Sequence, residues 1–337
     1  MPGWPAAERD EVRSVQGTAT ESRNPFVFVV GCPRSGTTLL RRMLDNHPQL
    51  TVANDTHFIT RAVKKALRKV SDPALTRELV DQVRSYRRFY RMGLDEADIE
   101  EAARGCRSYS QFVSRLYDLR AAHKGKPLSG EKTPDYCRQI PALTSLFPRA
   151  KFIHIIRDGR DTCLSAMDWA TATKGPGKWS LWAEDIVGTC ALWWRWQTGT
   201  GIRDGHSLGE GLYHELKYED LVADSQALLS AIAAFLQIPD SEKMADYFAG
   251  KTIKNPHLSA KSAWLPPHTG LRDWRNQMME KDIAVFEGIA GKLLAQLGYE
   301  ASGADATGGV EKRINRCLDW WQAQKMSQAD HKSLHGS

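Results

Sequence analysis

Residues 31–38, Gly-Cys-Pro-Arg-Ser-Gly-Thr-Thr, place two glycines at G-x-x-x-x-G spacing around one arginine and one serine, with two threonines behind. A loop of that shape lets backbone N–H groups close around a phosphate, and a helix starting there adds partial positive charge. The lysine that serves a magnesium-bound triphosphate would follow the second glycine; Thr37 stands there instead, and the cation has moved into the loop as Arg34. Arg34, Ser35, Gly36, Thr37 and Thr38 are therefore expected to grip an anion without that lysine. A second cation, Arg157, ends the apolar run 152–156 where an NTPase would use an aspartate to hold Mg²⁺. Its planar, permanently charged fork suits a phosphate. Ser165 lies eight residues on, about two helical turns. Two groups could take a proton: Asp55, and His57, whose unperturbed imidazole accepts one near neutral pH.

These side chains need elements to carry them. The β-branched run 26–30 precedes the loop, and Leu39, Leu40, Met43 and Leu44 follow at helical spacing. If a second strand follows that helix, residues 50–55 are its end, and Asp55 emerges at the carboxyl edge where α/β sheets bind ligands. A short strand at 127–129 leads into Gly-Glu-Lys-Thr-Pro, 130–134, with Pro134 opening a helix. The segment 211–221 is a strand running into Tyr218-Glu-Asp-Leu. Between Asp55 and Lys132, helical spacing predicts helices over 57–70, 73–91 and 108–122. A further helix is expected from 179 to about 200, rich in tryptophan. Residues 171–178 read as a loop that could gate a cleft. A helix over 283–297 is stopped by Gly298, a Gly/Ala linker covers 301–310, and a tail helix lies near 311–325.

Residues 33–40, Pro-Arg-Ser-Gly-Thr-Thr-Leu-Leu, resemble the 5′-phosphosulfate loop of sulfotransferases that use 3′-phosphoadenosine 5′-phosphosulfate (PAPS). Three more segments, 151–165, 211–221 and 268–278, are similar to further family motifs in the same order. The tyrosylprotein type has the closest loop and the broad bacterial type is the other near look-alike. The resemblance implies an α/β fold, P-loop-like, with a central parallel sheet flanked by helices and carrying helical insertions; the strand-then-helix order is compatible with it. It divides the chain into a flexible segment 1–24, a sulfotransferase domain 25–300 with an insertion at about 57–124, and a linker with tail helix at 301–337. It assigns Arg157 and Ser165 to the 3′-phosphate, Tyr218 to the adenine or nucleotide backbone, and Ser259, Lys261 and His268 to a looser C-terminal contact, where the family's basic pair is missing. Asp55 falls where many relatives carry a glutamate base, one methylene longer. Lys132 falls in the Lys-x-Pro position, where an ammonium meets the bridging oxygen, a task shared with Arg34. Glu131 either orients Lys132 or faces the acceptor. The implied reaction is in-line transfer from PAPS to a hydroxyl, with Asp55 or His57 as base, PAP as product and no metal.

The chain has 337 residues, enough for one large domain, and a formal charge of +6. The stretch 61–91 is strongly basic, which reads either as a solvated helical face or as steering of an acidic acceptor: a glycan, a peptide or a small molecule. No nucleic acid partner and no membrane span are expected, and an oligomer is left open. The six cysteines (Cys32, Cys106, Cys137, Cys163, Cys190 and Cys317) lack C-x-x-C or zinc spacing, and no signal-type apolar stretch opens the chain, so a cytoplasmic enzyme with reduced thiols is expected. Two other classes stay open at this point: a nucleotide kinase or NTPase with a degenerate P-loop, and a noncatalytic anion-binding protein on the same scaffold.

Overall fold

The computed structural model of the chain describes residues 22–169, 179–248 and 272–333. Its frame is five strands, β1 (Val27–Val30), β2 (Leu50–Asn54), β3 (Leu128–Lys132), β4 (Lys151–Ile156) and β5 (Tyr213–Lys217). They form one parallel sheet in the order β2-β3-β1-β4-β5. The order reverses at β1, so the crevice beyond its carboxyl end is the place where such a sheet takes a ligand. Both faces are covered, which is why β1 is apolar without a break and β4 is buried along its whole length. Phe28 and Val30 point into one core and Val27 and Val29 into another, the two-residue period of a strand.

α1 (Thr37–Asp45) follows β1 and packs on the second of these cores through Leu39, Leu40, Met43 and Leu44. The insertion between β2 and β3 covers the first core. The helix expected over 57–70 is instead two single turns, α2 (Phe58–Arg61) and α3 (Lys64–Leu67), because Val63 leaves helical geometry between them. The helix expected over 73–91 is shortened to α4 (Arg77–Arg84). Thr76 caps its first turn, and at its end the Ser85 hydroxyl turns back onto Asp81 O at 2.7 Å, a local bond that competes with helix propagation. A separate 3-10 turn, Phe89–Met92, follows. α5 (Glu96–Ala103) was not expected from hydrophobic spacing; its signal is the capping box of Asp95 and Asp98. α6 (Tyr109–His123) matches the third expected helix. Arg77 and Arg84 of the basic stretch are engaged by Asp81, Glu96 and Glu100.

α7 (Ile140–Leu146) leads back to the sheet, and α8 (Gly159–Trp169) leaves it after β4. The tryptophan-rich helix α9 (Ile186–His206) starts later than expected, where the Asp185 carboxylate accepts from Gly188 N at 2.8 Å. α10 (Tyr218–Ala223) and α11 (Ser225–Leu236) follow β5, and α12 (Trp274–Gln277), α13 (Glu280–Gln296) and α14 (Gly309–Ser333) complete the described chain. α14 lies against α9 through an indole cluster. The Trp179 ring is 5.2 Å from Trp193, 5.2 Å from Trp320 and 5.3 Å from Trp321, and Trp196 is 5.5 Å from Trp321. Packing against α14 thus accounts for the tryptophans that cannot all face one core. The expected gating loop 171–178 lies outside the described residues, as does most of segment 1–24; Asn24, however, is buried and stitched to Asp118 and to Ser129 N.

β3 is the unusual strand: Leu-Ser-Gly-Glu-Lys is buried throughout. Gly130 admits the neighbouring strand, since a Cβ there would sit 2.6 Å from Val27 O and 2.6 Å from a Val27 methyl. Gly130→Ala is expected to cost about 1–3 kcal/mol, the usual price of overpacking, read as a lower urea midpoint.

Candidate functional site

All five strands end along one edge, and four of the loops leaving it carry the polar groups of the site. After β1 the chain turns through Arg34 (φ 81°) and Gly36 (φ 93°), both left-handed. Gly36 has a further reason to be glycine: a Cβ there would lie 2.4 Å from the Tyr218 ring. It is also the N-cap of α1, and no side chain caps that end, so the loop and the first turn leave backbone donors directed at the crevice. The Ser35 hydroxyl is buried and has no partner among the described residues.

The strand carrying Arg157 ends beside this loop. Arg157 is buried, its guanidinium carbon 4.2 Å from the Tyr218 ring centroid. Its only acidic neighbour in ion-pair range among the described residues is Asp161, 3.6 Å away, and its Nε has no partner there. Burial pushes the Asp161 carboxyl up to about 6, with Arg157 opposing; its Oδ1 accepts from Trp274 N at 3.0 Å. The Arg157–Asp161 contact is thus long and buried. Ser165, on α8, accepts from Arg34 Nε at 2.9 Å. Sequence placed Arg34 with Lys132; the structure turns it toward Ser165, where burial and the nearby Arg272 and Arg157 lower its pKa. Orphaned Ser35 Oγ and Arg157 Nε, together with the uncapped helix end, are a donor set suited to a dianion or to two anionic groups.

The loops after β2 and β3 bring the remaining candidates together. Asp55 N donates to Lys132 O at 2.7 Å, and Lys132 Nζ sits 3.0 Å from Asp55 Oδ1 and 3.4 Å from Thr38 Oγ1. The lysine side chain is 1% exposed while that of Asp55 is 28% exposed, so the carboxylate is the more open of the two to an incoming acceptor. Burial lowers the Lys132 pKa and Asp55 opposes the shift. Glu131 makes no salt bridge to Lys132 among the described residues and does not face an acceptor. It is fully buried and accepts from Thr56 N at 3.0 Å, Tyr117 OH at 2.8 Å and Thr133 Oγ1 at 2.5 Å, and burial raises its pKa. It fixes the backbone that places Asp55 and Lys132.

His57 is also left-handed (φ 59°) and buried, with Nδ1 unpartnered among the described residues. Desolvation, then Arg61 and Arg88, lower its pKa to about 4, so at neutral pH it is uncharged and no stronger a base than an ordinary carboxylate. The contact residue that sequence reading missed is Arg91, 3.7 Å from Asp55 Oδ2; it was visible only as one cation of the basic stretch. Ser259, Lys261 and His268 lie outside the described residues.

The family model of the sulfotransferase family matches residues 25–242. The chain belongs to that family. Curated relatives of this sulfotransferase include protein-tyrosine sulfotransferase A of Caenorhabditis elegans, 27% identical over 88% of this chain and 72% of the relative. Protein-tyrosine sulfotransferase 1 of Homo sapiens is 26% identical over 82% and 70%. Among solved structures, the sulfotransferase domain of the Synechococcus PCC 7002 olefin synthase has a TM-score of 0.54 at 20% identity, covering 85% of this chain and 98% of that domain; it shares the fold. The parallel sheet flanked by helices agrees with the architecture expected from sequence, and the chain is an enzyme of sulfuryl transfer.

The burial of His57 has a pH consequence. Its folded pKa is below the unfolded value of 6.5, so the unfolded chain binds the extra proton first, and stability is lost as pH falls from 6.5 toward about 4. The loss is at most about 3 kcal/mol. Urea denaturation of His57→Asn between those limits is expected to show a flatter pH dependence than the wild type.

Proposed function

We propose that this sulfotransferase moves a sulfuryl group from PAPS to the hydroxyl of an acidic acceptor, with Asp55 as the base. The observation that carries the reading is the Asp55–Lys132–Thr38 contact at the crevice of β1: an accessible carboxylate, a buried ammonium and the uncapped end of α1 meet within 3.0–3.4 Å. PAPS has anionic groups at both ends. The loop Ser35, Gly36, Thr37 and Thr38 would hold the 5′-phosphosulfate, Arg157 and Ser165 the 3′-phosphate, and the Tyr218 ring, packed between Gly36 and Arg157, the nucleotide between them. Arg34, bonded to Ser165, would link the two grips. As the sulfuryl group leaves in line, negative charge builds on the bridging phosphate oxygen. Lys132 and the backbone donors of α1 are placed to balance it while Asp55 takes the acceptor's proton. Side-chain cations thereby supply the charge that a metal supplies elsewhere, and PAP is the product.

For the acceptor we favour a tyrosyl hydroxyl in an acidic peptide. A phenol, with a pKa near 10, gives up its proton to a carboxylate more readily than an aliphatic alcohol. Arg61, Arg88 and Arg91 around His57 and Asp55 form a cationic approach, and the curated relatives named above are protein-tyrosine sulfotransferases. All six cysteines are free thiols, which supports a reducing compartment such as the cytoplasm. The domain reading, 25–300 with tail 301–337, is retained as part of the proposal.

Two measurements test it. Calorimetry is expected to show PAP binding without added metal, weakened about tenfold to a hundredfold by Arg157→Ala, the cost of one charged hydrogen-bonding group; no heat with PAP or PAPS refutes the donor. Incubation with PAPS and paired acidic and neutral tyrosyl peptides, read by mass, is expected to sulfate the acidic one. Lys132→Ala should slow that turnover by about 10²–10³-fold in a folded protein. Full turnover in the variant removes Lys132 from the mechanism, and exclusive sulfation of glycans or small alcohols replaces the acceptor.

A further inference from the structure

Asp55 combines a strained backbone, φ 54°, with a side chain one methylene shorter than glutamate. A left-handed aspartate persists when its surroundings over-determine it, and two cations do so from separate elements. Lys132 of β3 approaches Oδ1, 3.0 Å away. Arg91, from the 3-10 turn Phe89–Met92 in the insertion, lies 3.7 Å from Oδ2, and its Nη1 donates to both Asn54 O and Asp55 O at 3.4 Å. One guanidinium group thus touches the last carbonyl of β2, the carbonyl of the left-handed residue and its carboxylate.

The turn that carries Arg91 is itself fixed. Phe89 and Met92 are buried in the insertion core, and the buried Arg120 of α6 donates from Nη1 to Met92 O at 2.6 Å and Arg91 O at 3.4 Å. Lys132 alone would draw the carboxylate toward the phosphate loop, onto the ammonium that the leaving oxygen needs. A second cation on the other oxygen opposes that pull. Arg88 adds its field from the same segment, and His57, which also faces Asp55, is uncharged at neutral pH.

We propose that Arg91 is a positioning residue for Asp55: it holds the left-handed turn and the second carboxylate oxygen so that a short aspartate reaches the acceptor hydroxyl. The proposal rests on reading Asp55 as the base. It gives the insertion a role beyond covering the sheet, because the chain Arg120, Met92, Arg91, Asp55 ties the aim of the base to helix α6.

The test compares wild type with Arg91→Gln, Arg91→Lys and Asp55→Asn, using PAPS and an acidic tyrosyl peptide, with PAP calorimetry as a check on the donor site. Arg91→Gln is expected to lower kcat about tenfold to a hundredfold, the scale of a misplaced reacting group, with KM for PAPS unchanged. Arg91→Lys keeps the charge and loses the fork, so kcat should recover only in part. An Arg91→Gln enzyme with unchanged kcat but a raised acceptor KM overturns the proposal and makes Arg91 an acceptor contact. Should the glutamine variant not fold, wild-type kcat in Arg91→Lys overturns it equally. Turnover retained in Asp55→Asn defeats the base reading itself; an inactive Asp55→Asn beside a fully active Arg91→Gln defeats only the positioning role.

Discussion

The contact between Lys132 and Asp55 is the constraint around which the site is arranged. A buried ammonium is costly unless paired, and this one is paired across two strand ends that already share a backbone bond, Asp55 N to Lys132 O. The pair therefore needs β2 and β3 adjacent and in register, Asn54 opposite Lys132. That register needs Gly130 against β1. It also needs Glu131 buried behind, accepting from the backbone of residue 56 and from two hydroxyls. An isolated Glu131 carboxylate would be expensive to bury; hydrogen-bonded on both oxygens, it turns an otherwise polar strand into a rigid shelf.

The far half of the crevice is built on a different principle. There Ser35 Oγ and Arg157 Nε have no partner among the described residues, and the first turn of α1 has no side-chain cap there. Such groups cost stability until something fills them, and they are tolerated where a ligand is expected. The Arg34–Ser165 bond joins the loop after β1 to α8 within this half. Burial, and then repulsion from Arg272 and Arg157, lower the pKa of Arg34, and a polyanion would relieve that repulsion.

Much of the fold was legible because its signals are local. The apolar runs that became β1 and β4, the glycine loop and the stop at Gly298 each state their own geometry, and the loop motif carried the family. The insertion was less readable. Helical spacing over 57–91 was real but did not say where the chain would break, which was decided by Ser85 and Thr76 bonding to their own backbone and by packing of Phe89 and Met92. β3 was underestimated because a strand that buries Ser, Glu and Lys shows no apolar pattern. Among the site residues, Asp55, Lys132 and Thr38 were found by position in motifs and are brought together. Arg91 was hidden because its partner is 36 residues away and only the folded turn joins them. His57 looked like a base from its solution chemistry alone, and burial among arginines removed that advantage.

The indole cluster has a consequence for how the chain comes off the ribosome. Trp179, Trp193 and Trp196 are made long before Trp320 and Trp321, which cover them in the finished structure. During vectorial synthesis the sheet and α9 can assemble first, leaving a patch of sticky aromatic surface open until α14 arrives. A chaperone that favours exposed aromatic segments would have its window there, and the docking of that one helix closes it.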